Sequence, residues 1–73
     1  MQDILINCEP VELYKILKFE NIASSGGEAK LMIENGEVLL NGELETQKRK
    51  KILNGNVIKI FGEQYKIVLA GEE

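Results

Sequence analysis

One stretch, residues 25–42, constrains the fold more than any other, because it changes its hydrophobic period once and punctuates each half. Ser25 and Glu28 stand at capping-box spacing. The Ser25 hydroxyl can accept from the Glu28 N–H while the Glu28 carboxylate reaches back, satisfying two orphan donors of a helix start. A helix is therefore expected to open near Gly26. Ala29, Met32 and Ile33 recur at three- and four-residue spacing, and Asn35-Gly36 ends the run, glycine suiting the left-handed C′ position. From Val38-Leu39-Leu40 the pattern is extended and enters Asn41-Gly42, the strongest two-residue hairpin signal, after which Leu44 begins the return.

The flanks extend this order. Glu9-Pro10 supplies a helix start, and Leu13, Tyr14, Ile16 and Leu17 follow at helical spacing, which predicts a first helix over residues 11–20 with Lys15 and Lys18 outside. Ile4-Leu5-Ile6 reads as an edge strand or an extended arm. Downstream, the polar and basic residues 45–51 precede Ile52-Leu53 and a turn at Asn54-Gly55-Asn56. Residues 57–61 and 65–69 read as an antiparallel hairpin joined by Gly62-Glu63-Gln64; its second strand, left as an open edge, would be able to pair with a partner. Residues 71–73 are expected to fray as an acidic tail.

With 73 residues the chain is expected to form one domain, 1–73. Domains this short keep roughly 3–5 kcal/mol of net stability, so most apolar residues are committed to one core. A hydrophobic share of 44% and a charged share of 29% exclude the disordered class. One cysteine and no histidine exclude an internal disulfide and a zinc site of the usual ligand count; Cys8 is expected to fill apolar space beside Ile6. The start of the chain lacks the basic and apolar stretches of a secretory signal, and no apolar run reaches membrane-spanning length, so the cytoplasm is the expected location, with no membrane contact. Without histidine, a phosphate-cradling Gly-x-x-x-x-Gly-Lys-[Ser/Thr] loop or an activated serine or cysteine, the chain is not expected to be an enzyme, and no cofactor or metal is expected.

Net charge is −3, yet four of the nine basic residues are consecutive, Lys48-Arg49-Lys50-Lys51, while the twelve acids are scattered. A charge run is commonly a solvated loop, but four adjacent cations repel one another, and such blocks are frequently nucleic-acid patches.

Taken in order, Leu13-x3-Leu17, Ala23-x-Ser25, Glu28-Ala29-Lys30, Ile33-x2-Gly36-x-Val38 and Leu40-Asn41-Gly42 resemble the S4 RNA-binding domain. Gly55-x-Val57-Ile58 is similar to the closing Gly-Asp-x-Ile of that family, with Asn56 in place of aspartate, and the motif core spans about residues 11–60. The string Glu45-Thr46-x-Lys48-Arg49-x-Lys51-Ile52 resembles the short stand-alone S4-like proteins of bacteria. The resemblance implies an α+β fold called the αL motif: two short helices packed on a small, mostly antiparallel sheet of four or five strands. It also implies a basic face presented to structured RNA, ribosomal or transfer RNA or the ribosome; the chain is expected to be a monomer.

The residues expected to carry that contact are Lys48, Arg49, Lys50 and Lys51, with Lys30, Ser25 and Lys15 extending the surface. Arg49 leads, since its guanidinium can grip a phosphate with two parallel hydrogen bonds. Many S4 domains carry arginine after the serine, where this chain has Gly26, which should remove about one phosphate contact. Tyr14, Phe19, Phe61 and Tyr65 are expected in the core, leaving no stacking platforms for single-stranded RNA. The alternative is a protein-interaction module that kept the fold and lost RNA affinity, a reading favoured by the acidic balance and Gly26.

Overall fold

The computed structural model describes residues 1–70, so the tail assigned to residues 71–73 lies outside it. Its elements are β1 (Gln2–Ile6), β2 (Val11–Glu12), α1 (Leu13–Phe19), α2 (Gly26–Glu34), β3 (Val38–Leu40), β4 (Glu43–Leu44), β5 (Lys51–Ile52), β6 (Val57–Ile60) and β7 (Glu63–Leu69). α2 begins where the capping spacing puts it, with Ser25 Oγ accepting from the Glu28 N–H at 3.1 Å. It ends in a Schellman motif: Glu37 N–H donates to Met32 O and Gly36 N–H to Ile33 O, both at 3.1 Å, with Gly36 at φ +80°. α1 closes the same way, Ile22 N–H donating to Leu17 O at 3.0 Å and Asn21 N–H to Lys18 O at 3.1 Å, with Asn21 in the left-handed position at φ 60°.

The first helix is shorter than residues 11–20. Val11 and Glu12 are extended and pair with Ile52 and Lys51 as a separate two-stranded sheet, so Pro10 lies ahead of a strand and not at the first helical position. A β-branched Val11 packed against the core is better served by that pairing than by a helical turn.

The remaining strands form one five-stranded sheet in the order β1-β7-β6-β3-β4. Asn41 and Gly42 take φ 52° and 87°, the two positive angles a type I′ hairpin turn needs. The β6–β7 turn falls on Phe61-Gly62, at φ 53° and 82°, and not on residues 62–64. β1 adds parallel to β7 with Ile4 opposite Ile67, which makes β7 an interior strand, so the condition under which it would pair with a partner is not met.

The core lies between the helices and one face of the sheet, built from Leu13, Ile16 and Leu17 of α1, Ala29, Met32 and Ile33 of α2, and Ile4, Val38, Ile58, Ile60 and Ile67 of the sheet. Tyr14 and Tyr65 pack against it in part, whereas Phe19 and Phe61 are about two-thirds exposed, contrary to the expectation that all four aromatics are core. Cys8 is exposed and fills no core space, because the chain leaves the sheet after Ile6.

Candidate nucleic-acid interface

α1 starts without help from its own side chains: Glu12 at the N-cap makes no capping bond and the first turn holds no acid. The basic loop supplies the cap. Leu13 N–H donates to Lys50 O at 2.9 Å and Tyr14 N–H to Lys48 O at 3.1 Å, so two of the helix's orphan donors are met by carbonyls from a segment more than thirty residues away. The loop is folded within itself as well. Lys50 N–H donates to Gln47 O at 3.2 Å and Gln47 N–H to Glu45 Oε2 at 3.0 Å, and beyond it β5 sinks Ile52 into the core. A run of charged residues is thereby held on a fixed backbone.

Arg49, at the turn, and Lys51 are exposed, while Lys48 and Lys50 are half-buried. Lys48 is not free: its Nζ lies 2.8 Å from Glu34 Oε2 in the last turn of α2. Lys15 stands 3.5 Å from Glu12 in a looser pair. Arg49, Lys50, Lys51 and Lys30 have no carboxylate within 4.0 Å among the described residues.

Lys30 reaches from α2 across to α1, its Nζ 4.7 Å from the centroid of the Tyr14 ring, close enough for a cation–π contact. Tyr14 thus joins the two halves of the basic surface, its backbone bound to Lys48 and its ring under Lys30. Lys15 follows it in the first turn of α1 and lines one groove together with Lys51. Lys15, Lys30 and the backbone of residues 48–51 are therefore gathered around the N-terminus of α1, while the Lys50 side chain lines a groove with Glu43 and Glu45.

Ser25 is set apart from this group by its bonding. Its Oγ takes the Glu28 N–H, while the Glu28 carboxylate reaches back to Ser24, accepting from both the N–H and the hydroxyl at 2.6 Å, one residue earlier than the capping box predicts. The Ser24 hydroxyl first, and its N–H second, hold the Glu28 carboxyl below the usual glutamate range. A carboxylate already occupies the positive end of α2, where a phosphate would have to compete. Gly26 is not sterically required: a Cβ there would meet only the Tyr14 ring at 3.9 Å. Asn41 is structural beyond its turn, exchanging bonds with Val57 through its N–H (2.7 Å) and Oδ1 (2.9 Å). Two participants escaped the sequence reading. Glu34 lies fourteen residues from Lys48 with no local signal linking them, and Tyr14 read only as a core aromatic.

Among the described residues no group of three or more His, Cys, Asp or Glu converges as a metal ion would need, and no helix is long and apolar enough to cross a membrane.

Comparison with known proteins gives a family. The S4 domain model matches residues 4–68. The chain is 40% identical over 58 residues to the putative RNA-binding protein YbcJ of Escherichia coli, covering 80% of this chain and 83% of that protein. It is 36% identical over 59 residues to the probable ribosome maturation protein RlbA of Bacillus subtilis, covering 81% and 83%. The solution structure of E. coli YbcJ, described as revealing an αL motif involved in RNA binding, superposes with a TM-score of 0.70 at 36% identity, covering 93% of this chain and 87% of that one. Two helices on a mostly antiparallel sheet, the capped α2 and Asn-Gly hairpin, and a match over nearly the whole chain make this protein a member of the S4 domain family.

Proposed function

We propose that this protein binds structured RNA in the cytoplasm, with ribosomal RNA or a ribosomal particle as its target, and acts by binding and not by catalysis. The observation that supports the reading is the docking of the Lys48 and Lys50 carbonyls on α1, which anchors the backbone of the basic run beside Tyr14, whose ring lies under Lys30. An anchored backbone leaves only side-chain freedom to be lost on meeting a phosphate backbone, and each neutralised phosphate releases counterions. The names of the relatives, a putative RNA-binding protein and a probable ribosome maturation protein, support the same target. Phosphate contacts position a protein on RNA without reading sequence, so the surface suits recognition by shape.

Arg49→Glu with Lys50→Glu tests this. Of Lys50, only the backbone carbonyl caps α1, and neither side chain is ion-paired among the described residues, so the fold should survive. Binding to purified ribosomal subunits and to total cellular RNA, measured by filter retention, should be lost while the thermal midpoint stays put. A folded double variant that binds as the parent does refutes the site. Absence of RNA binding by the parent refutes the function and leaves a protein-interaction module in its place.

A further inference from the structure

The two rims of the five-stranded sheet are unlike. β4 is two residues long and leads into the docked loop, whereas β1 runs the five residues Gln2–Ile6 and, among the described residues, is hydrogen-bonded on one side only, to β7. Ile6 O accepts from Ala70 N–H at 2.7 Å. Backbone groups alternate along a strand, so Ile4 and Ile6 aim theirs at β7, and Asp3 and Leu5 turn theirs to the open rim. Soluble proteins usually blunt such a rim with lysine, proline, a bulge or brevity. β1 has no lysine or proline, and it pairs with β7 without a break.

Exposed apolar side chains gather here too. Met1 precedes the strand, Leu5 lies on it at 65% exposure, and Phe19 stands beside it at the end of α1, also at 65%. Leu5 and Phe19 flank an apolar groove of about 310 Å³ that Ile4, Cys8 and Val11 also line. Free backbone donors and acceptors call for a strand as the occupant, and the order of side chains on β1 indicates which.

We propose that β1 pairs antiparallel with β1 of a second copy of this chain, about a two-fold axis at Leu5. In that register Leu5 faces Leu5 on the axis, and on each side of it Ile4 faces Ile6, an apolar pair, and Asp3 faces Asn7, a hydrogen-bonding pair. Shifting the centre to Ile4 sets Asp3 against Leu5 and loses the match. Asp3, the one charge on β1, never meets its counterpart. This self-complementarity sets a second copy above an unrelated strand, and it departs from the monomer expected from the sequence. The axis stands normal to the sheet, which keeps the helices of both copies on one side and brings their Phe19 rings towards each other over the new strand pair. The dimer does not depend on the RNA reading.

Sedimentation equilibrium of the full chain without RNA provides the test, in reductant because the exposed Cys8 would otherwise link copies covalently. The weight-average mass should climb from one chain towards two as concentration rises. Leu5→Lys puts two ammonium groups face to face and should raise the dissociation constant at least about tenfold, with an unchanged melt because the side chain is exposed. Asn7→Lys gives each Asp3 an ion pair across the axis and should tighten the dimer several-fold, less so in high salt. A parent that stays monomeric to about 1 mM overturns the proposal and leaves the rim for a foreign strand. So does a dimer indifferent to both substitutions. Should Leu5→Lys unfold, Asn7→Lys decides: tightening supports this register, and no change or weakening refutes it.

Discussion

Glu34→Gln should strengthen RNA binding and make it more sensitive to salt, although Glu34 lies on no surface the sequence marked. In the free protein Lys48 is held by Glu34 at 2.8 Å, and their side chains are 41% and 48% exposed. A pair this exposed contributes little to stability, about 0–1 kcal/mol, so the amide variant should melt within a few degrees of the parent. Its effect on RNA is larger in proportion. Arg49, Lys50, Lys51 and Lys30 are the site cations without a carboxylate partner among the described residues. Four phosphate contacts at about 0.7–0.9 each predict a slope of log K against log salt near −3 to −4. Raising salt from about 50 to 200 mM should then weaken the parent about 50- to 150-fold. Releasing Lys48 adds a fifth contact, steepens the slope by a little under one unit and brings the loss to about 130- to 500-fold. Fluorescence anisotropy with a labelled ribosomal RNA fragment at four or more salt concentrations measures both slopes. Equal slopes, with the fold intact, would show that Lys48 does not face RNA or that Glu34 never restrains it.

Lys30→Ala should shallow the same slope by a little under one unit without changing which RNA is preferred, and Gly26→Arg should steepen it, since a side chain at 26 has room beside the Tyr14 ring and neighbours Lys30 one turn on. Gly36→Val should lower stability by about 1–3 kcal/mol, because φ +80° is closed to a β-branched residue while its Cβ would find only ordinary contact with Leu44 at 3.5 Å; thermal melts decide, and an equal midpoint would refute a backbone origin. Glu28 is held below the usual glutamate range by Ser24, so its folded-state pKa is depressed. The stability it adds is present at neutral pH and lost as pH falls through that depressed value. Melts between neutral and acid pH should therefore show a shallower acid decline for Glu28→Gln than for the parent, and parallel curves would sink the assignment.

The parts that could be read from the sequence are those whose hydrogen bonds close within a few residues. Ser25 and Glu28 specify the start of α2, Gly36 its end, and Asn41-Gly42 the hairpin, because each answers a backbone demand that its immediate neighbours create. The charge block at residues 48–51 was equally legible as a block. Tertiary structure decided what lies far apart in the chain. α1 begins at Leu13 and not near Pro10 because Lys50 and Lys48 cap it and Ile52 draws Val11 into a strand. β1 becomes the open rim and β7 an interior strand because Ile4 pairs with Ile67, a register no local pattern could announce. The pairing of Lys48 and the placing of Lys30 were settled the same way, by Glu34 arriving at the first and the Tyr14 ring at the second. Local dihedral and capping preferences act over one turn of chain; the pairing of strands and charges depends on which surfaces the shared core brings together.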